Sequence, residues 1–502
     1  MYIVKNHRHA VPIDILPDNV FLEIFSFSIE DPFEYASSHW HPREWKTLVH
    51  VCQRWRGIIF ASPRRLDLHL RCSHGTPVRK NLVFWPATLP LIVDYDNFGG
   101  PISPEDEDNI DAALEHPSRV RRVNIHAKSP LMKKVITALW KSFPVLTHLD
   151  LTCHDSVHPV ISRRILRGSN IPHLQHLYLR GISFPQLPSP FSSARNLVSL
   201  QLKVMPVNGY VSPDAMARSL AVLTRLKHLS IAFYEDLSPS EQSRGHPYPQ
   251  IRAVLPPLTS IYYEGESEYL EDFLAQIDTP RVDSLTIEYT LHRIQASQLS
   301  WYIERTENLK IDQFMRAQLY FYTDNSLFGL NRSQGEWIES RFLMKIIDEA
   351  YLEEHVWEMV HLIGQISAKF SKVNDLFTHG DNIVQWDGMG LAEWLPLFRL
   401  FPAVETLRLS GRLAVYVASA FEDSTEEMVT DVFPALNLIR IAECEDGSPE
   451  DKDKHQENLI FTFWCLYCFF YLPQVKKVRS KKSTEYFSQD IPFTLFNTFL
   501  YF

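Results

Sequence analysis

A six-residue pattern, Φ-x-x-Φ-x-Φ with Φ apolar, recurs along the 502-residue chain and limits its fold more than any other feature. It occurs as Val120/Val123/Ile125, Leu146/Leu149/Leu151, Leu174/Leu177/Leu179, Leu197/Leu200/Leu202, Leu226/Leu229/Ile231, Leu258/Ile261/Tyr263 and Val282/Leu285/Ile287. After a gap it returns as Val404/Leu407/Leu409 and Leu436/Ile439/Ile441. Successive starts lie 26, 28, 23, 29, 32, 24, 122 and 32 residues apart. The closing Φ-x-Φ alternates with period two, as a half-buried strand does. Between copies lie segments with helical spacing. "PDAMARSLAVL" places Met216, Leu220 and Leu223 on one face, and "SEYLEDFLAQI" does so with Leu270, Phe273, Leu274 and Ile277. "LAEWLPLFRLF" follows suit, interrupted by Pro396.

A strand, a turn and a helix every ~28 residues make a leucine-rich-repeat type of unit. No such unit can bury its apolar face alone, so neighbours must stack. The predicted fold is α/β: a short N-terminal helical module, then a curved leucine-rich-repeat-like solenoid of parallel strands and helices. The 122-residue step predicts about three degenerate units between residues 288 and 403. Several units, among them "FPVLTHLDL", "IPHLQHLYL" and "FPALNLIRI", begin with an apolar residue and a proline, which ends the preceding helix and starts an extended segment. The asparagine that often follows the strand in such repeats is missing; His154 stands near that place after Leu151. The repeats are therefore expected to be irregular, the alternative being a non-repetitive α/β fold. The expected organisation is a helical module over 12–68, a connector with a first, atypical repeat over 69–118, the solenoid over 119–450, and a divergent tail over 451–502.

In the N-terminal module, "ILPDNVFLEIFSFSI" puts Val20, Phe21, Ile24 and Phe25 on one helical face, with Pro17 in the first turn. A second helix is predicted across "LVHVCQRWRGII", where Leu48, Val51, Cys52, Trp55, Ile58 and Ile59 share a face. Two or three short helices make a small core, so such a module gains by packing on something else. At these residues the sequence resembles an F-box. The resemblance rests on Leu16-Pro17, the helix ending in Ile24-Phe25, and the later Val51-Cys52-x-x-Trp55. With "ASPRR", Ala61 to Arg65, and the repeats downstream, it is similar to fungal F-box proteins of the basidiomycete type, over roughly residues 12 to 445.

The resemblance implies a non-catalytic substrate receptor of a Skp–cullin–F-box ubiquitin ligase. The F-box would bind a Skp-family adaptor, and through it a cullin, using Leu16, Pro17, Phe21, Ile24, Phe25, Val51, Cys52 and Trp55. The repeats would capture a protein substrate. On each strand the residues between the inward apolar ones face out along the concave side. These include His148, Asp150, His176, Tyr178, Gln201, His228, Tyr262, Thr286 and Arg408. The rival expectation is a leucine-rich-repeat scaffold without a ligase, its N-terminal helices serving as a cap.

Catalysis is not legible in the motifs. The chain has no P-loop and no G-x-G-x-x-G, and "DGMGLAE", Asp387 to Glu393, reads as a turn before a helix. His355, Glu358 and His361 have the wrong spacing for a zinc hydrolase and read as a solvated helix face. Cys465-x-x-Cys468 lacks a second pair, and no cofactor or metal is expected. The histidines His148, His176 and His228 share one repeat position, which raises a metal or pH-sensing patch as the sharper reading and routine exposed strand positions as the bland one.

The net charge of −10 gives no reason to expect nucleic acid as the main partner, and six cysteines in 502 residues suit reduced thiols in the cytosol or nucleus. The N-terminus lacks a signal-peptide apolar core. The run Leu459–Leu472 is too short to suggest a membrane span. From about Glu457 the repeat pattern is lost, and a cluster of Lys476, Lys477, Arg479, Lys481 and Lys482 follows. The tail reads first as a mis-joined exon or retained intron, with a membrane-proximal anchor, a nuclear signal or a capping helix as alternatives.

Overall fold

The computed structural model describes residues 15–28, 45–96, 102–161, 170–183, 194–205, 210–233, 252–289, 294–332, 341–347, 352–380, 391–417, 432–442 and 477–481, apart from a few positions within them. The chain forms two compact units, residues 1–149 and 150–502.

The first unit opens with helices α1 (Asp18–Ser28), α2 (Lys46–Val49) and α3 (Gln53–Ala61). The single helix expected across Leu48–Ile59 is two. Cys52 adopts an extended conformation, and its Sγ accepts a hydrogen bond from Trp55 N at 3.4 Å, so it caps α3 rather than lying inside it. Strands β1 (Leu70–Cys72), β2 (Leu91–Asp96) and β3 (Val120–Ala127) then alternate with helices α4 (Val78–Phe84), α5 (Pro104–Leu114) and α6 (Ser129–Ala138). β1 pairs with β2 and β2 with β3, in both cases parallel. The 69–118 segment is thus built like the units that follow, and the helical module shares a compact unit with it; the division falls at 149/150, inside the predicted solenoid.

A polar cluster ties this unit together. His74 lies with Nδ1 3.1 Å from Asp106 Oδ2 and Nε2 2.9 Å from the Asp96 carbonyl, while Gly75 N donates to Asp106 Oδ1 at 3.0 Å. Burial works against the charged form of each. The mutual hydrogen bond and the backbone contacts overcome it, so the His74 pKa is raised and that of Asp106 lowered. A raised histidine contributes stability that is present below its unfolded pKa and lost as pH rises through the folded one. A depressed aspartate contributes stability that is lost as pH falls through its folded pKa. Urea unfolding of the full chain should therefore show the first unit losing stability as pH rises from 6.5 through the His74 titration. His74→Ala should flatten that slope, and an unchanged slope would remove His74 from the linkage.

The second unit carries β4 (His148–Cys153, which spans the division), β5 (His176–Arg180), β6 (Ser199–Met205), α7 (Pro213–Leu220), β7 (His228–Phe233), β8 (Ala253–Val254), β9 (Ser260–Gly265), α8 (Ser267–Gln276), β10 (Ile277–Asp278) and β11 (Ser284–Tyr289). It continues with α9 (Ser297–Arg305), β12 (Arg316–Phe321), β13 (Asn325–Asn331), β14 (Phe342–Ile347), α10 (Leu352–Ile366), β15 (Asp375–Gly380), α11 (Leu391–Phe398), β16 (Thr406–Gly411), β17 (Leu438–Ala442) and β18 (Lys477–Lys481). All nine Φ-x-x-Φ-x-Φ motifs end in a strand. The pairs β5–β6, β6–β7, β7–β9, β9–β11, β15–β16 and β16–β17 are parallel.

A recurring turn sets up these strands. The first Φ of a motif donates its N–H to the carbonyl three residues back: Leu146 to Phe143, Leu197 to Ala194, Leu226 to Leu223, Val404 to Phe401 and Leu436 to Phe433. Proline at the second place of this turn fits because its φ is already set and no N–H is required of it. The helices follow their local signals. Ser212 caps α7 through Ala215 N, and Met216, Leu220 and Leu223 are buried, as are Leu270, Phe273, Leu274 and Ile277. The N-terminus of α9 has no cap of its own. Glu271 of α8 supplies one, accepting from Gln298 N at 2.5 Å, Leu299 N at 2.9 Å and Ser297 Oγ at 2.9 Å. Burial raises the Glu271 pKa against those three donors.

The interval 288–403 departs from expectation. Its described residues hold β12 to β15, of which β12 follows the repeat pattern as Phe314/Ala317/Leu319 and β15 nearly so, as Val373/Leu376/Thr378 with threonine in the last apolar place. The spatial order is β11-β14-β13-β12-β15. β13 runs antiparallel to both its neighbours, whereas β14 is parallel to β11 and β12 to β15. The chain crosses two strand positions through α9, returns through a meander, and crosses out again through α10. The cause is local: "AQLYFYTDNSLFGL" is two alternating runs about a polar turn, closed by Tyr322 N to Asn325 O at 2.8 Å.

Among the described residues no helix is long and apolar enough to cross a membrane. Part of the tail's basic cluster forms β18, parallel to β17, so the segment 477–481 extends the sheet instead of leaving it. The apolar run Leu459–Leu472, Cys465, Cys468 and the loop 30–43 lie outside the described residues.

Candidate interaction surfaces

Two surfaces carry the residues singled out in the sequence, one in each unit. In the first, Phe21 and Phe25 are fully buried, and both rings contact Trp55, at centroid distances of 5.7 and 4.9 Å. Phe21 and Phe25 are therefore core residues and not the contact surface expected of them; Trp55 and Cys52 are half-buried. Arg54 locks the module: its Nη2 donates to the Leu16 carbonyl and to Asp18 Oδ1, both at 2.7 Å, and its guanidinium sits 4.9 Å over the Phe21 ring. Leu16 is half-buried and Pro17 exposed. What faces solvent is Ile15, Ile24, Phe27 and Val51, with Phe27 81% and Val51 59% exposed. Ile24 and Phe27, three residues apart, share a face of α1. Sequence periodicity found Ile24 and Val51 but passed over Phe27, because it lies off the stripe that the core residues define.

In the second unit the outward residues align in register. Tyr178 pairs with Gln201, Gln201 with Ser230, Ser230 with Tyr262 and Tyr262 with Thr286. The row continues through Leu343, Gly329, Gln318, Phe377, Arg408 and Arg440. Tyr178, Gln201, Tyr262, Thr286 and Arg408 are half-buried on this face, as is Asp150 on β4.

Tyr262 anchors one end. Its hydroxyl donates its one proton between Glu264 Oε2 at 2.8 Å and Glu288 Oε1 at 3.0 Å, Lys203 Nζ lies 4.6 Å from its ring centre, and Lys345 Nζ is 3.6 Å from Glu288 Oε2. Burial, reinforced by the two carboxylates, pushes the Tyr262 pKa well above the usual phenol range, so it acts here as a donor. A register shift in β6 accompanies this, with Val204 at φ 51°, an unusual conformation for a β-branched residue. Burial likewise raises the Tyr178 pKa.

At the other end Arg408 does not stand free. Its Nε and Nη2 make a bidentate pair with Asp375, at 2.9 and 2.6 Å, and Arg316 Nη2 reaches the same carboxylate at 3.2 Å. Beside it stands an aromatic platform that periodicity did not single out: Tyr320 and Tyr322 of β12 and its turn, with Phe377 and His379 of β15. Tyr320 lies 5.4 Å from Phe377, 5.7 Å from His379 and 6.2 Å from Tyr322 between ring centres. All four are half-buried. The signal that could have found them is the hairpin pattern in "YFYTDN".

The histidine column is interrupted between β5 and β7. His176 pairs with Ser199 and Ser199 with His228, so a serine stands between these two, and His148 Nδ1 meets Thr147 Oγ1 at 2.8 Å. On α10, His361 stacks on Trp357 at 5.5 Å and contacts Gln365 Nε2 at 2.7 Å. Among the described residues no group of three ligating side chains comes together. The chain matches no protein-family model and no curated protein.

Proposed function

We propose that this chain is a non-catalytic substrate receptor of a Skp–cullin–F-box type ubiquitin ligase, built on a leucine-rich-repeat-like array and working in the cytoplasm or nucleus. The observation that carries the reading is the helical module of the first unit. Its core is closed by Phe21, Phe25 and Trp55, yet it leaves Ile24, Phe27 and Val51 to solvent. Exposed large apolar side chains on short helices and the turn between them are what a helical adaptor would cover. The outward sheet face of the second unit supplies the complementary half: tyrosine, histidine and arginine on a rigid frame, residue types suited to gripping a protein.

The test is a pull-down of the full chain with a Skp-family adaptor. Ile24→Asp with Val51→Asp changes only exposed positions, and should weaken adaptor binding about 30-fold or more, two hot-spot losses at ~1 kcal/mol or above each. Leu16→Ala with Pro17→Ala is less diagnostic, since Arg54 grips the Leu16 backbone. Wild-type protein that fails to bind any Skp-family adaptor would favour the scaffold reading instead.

A further inference from the structure

We propose that a cavity between α9 and the start of β8 binds a small phosphate monoester that carries a flat ring, of about the size of a mononucleotide. The cavity holds about 580 Å³ and is lined, among the described residues, by Arg252, Gln298, Trp301, Glu304 and Arg305. That volume falls in the ~300–1,000 Å³ of sites for small organic ligands. None of the five belongs to the outward sheet face or to the N-terminal helices, so this site and the proposed adaptor and substrate surfaces can each fail without the other.

Gln298, Trp301 and Arg305 stand at i, i+3 and i+7, on one face of α9. The parallel pairing of β8 with β10 brings Arg252 to the end of α8. There both arginines serve carbonyls that the helix leaves open: Arg252 Nε donates to the Ala275 carbonyl at 3.1 Å, and Arg305 Nη2 to those of Leu274 and Ile277 at 2.6 and 2.8 Å. The Arg305 guanidinium also lies 5.2 Å from the centre of the buried Tyr302 ring. Both cations are thus fixed before any ligand arrives.

Capping uses only part of what they offer. Both Nη groups of Arg252 and the Nη1 group of Arg305 have no partner among the described residues, and Arg305 Nε is buried without one. Burial, with the Arg252 charge nearby, lowers the Arg305 pKa, yet a guanidinium stays charged. Three open Nη groups on two cations match the three terminal oxygens and near-double charge of a phosphate monoester better than a single carboxylate. Trp301, 65% exposed, offers an indole face on which a ring can stack. The Gln298 amide and the exposed Glu304 carboxylate can take the polar edge of the ligand. Glu304 also repels a second anionic group, so one phosphate fits better than a chain of them.

The test is isothermal titration calorimetry of the full chain with adenosine monophosphate, adenosine and inorganic phosphate. The monophosphate should bind at least about tenfold more tightly than either part alone. Arg252→Gln, at an exposed residue, should weaken the monophosphate by about tenfold or more and leave adenosine unaltered. Trp301→Ala touches neither cap; it should weaken the monophosphate and adenosine and leave inorganic phosphate unaltered. A thermal melt of each variant reports whether the fold is kept. No saturable binding of the monophosphate at millimolar concentration would overturn the proposal, as would binding no tighter than that of inorganic phosphate. So would folded Arg252→Gln and Trp301→Ala variants that both bind like wild type. Phosphotyrosine amide is the remaining arm: tighter binding of it than of the nucleotide keeps the site and assigns the monoester to a modified protein.

Discussion

Asp375→Ala should destabilise the second unit by about 3–5 kcal/mol, the range for breaking a buried ion pair from one side. The Asp375 side chain is 10% exposed and that of Arg316 11%, and Arg408 spends two donors on the same carboxylate. Without it, two guanidinium groups remain close together in a poorly solvated place, and neither gains a replacement acceptor from the substitution. The loss should exceed what the hydrogen bonds are worth, because two cations in a poorly solvated place lose the carboxylate they share. The measurement is guanidinium chloride unfolding of the full chain, following the transition of the second unit. A control separates charge from geometry. Replacing Arg316 and Arg408 by methionine together with Asp375→Leu should be near neutral, since all three charges of the cluster go at once. A loss below about 1 kcal/mol for Asp375→Ala would mean that water reaches the cluster and that the platform beside it is not held by this triad.

Trp394→Ala should cost a similar ~3–5 kcal/mol, through a cavity. Trp394 is fully buried on α11, edge-on to Phe321 at 5.7 Å and stacked with Phe398 at 5.8 Å, which in turn meets Phe433 at 5.1 Å. Phe321 is an inward residue of β12, between Tyr320 and Tyr322 on the outward side. A cavity beneath Phe321 should therefore loosen the rings of Tyr320 and Tyr322 on the other side of β12, while the helices of the first unit are left as they were. Trp394→Phe should cost far less, since the indole N–H has no hydrogen-bond partner among the described residues and phenylalanine keeps most of the volume. If both variants are equally destabilised, packing is not what Trp394 supplies, and a hidden partner of its N–H must be sought.

The strands of the array were legible because their code is local. An apolar triplet with a fixed turn in front marks each one, as at Leu146/Leu149/Leu151 and Leu436/Ile439/Ile441, and period-two alternation also told which residues point outward. The same reading failed between 288 and 403 for a physical reason. A regular spacing assumes that each unit adds to the end of the stack, and α9 instead carries the chain past two positions that β13 and β14 later fill. The hairpin turn at Tyr322–Asn325 was visible, but its consequence for strand order was not.

The sites divide in the same way. Tyr178, Gln201, Tyr262, Thr286 and Arg408 were placed on one face by alternation alone, and register confirms that face. Alternation could not tell that Arg408 is committed to Asp375, a residue 33 positions earlier, or that Phe21 and Phe25 close on Trp55 while Phe27 is left outside. By itself the sequence determined the repeating strand, the turn that precedes it and the side to which each residue points, since these depend on neighbours within a few bonds along the chain. Only the tertiary structure decided the order of the strands, which charges neutralise one another and which aromatic rings stay exposed, because each of these depends on partners brought together from far along the chain.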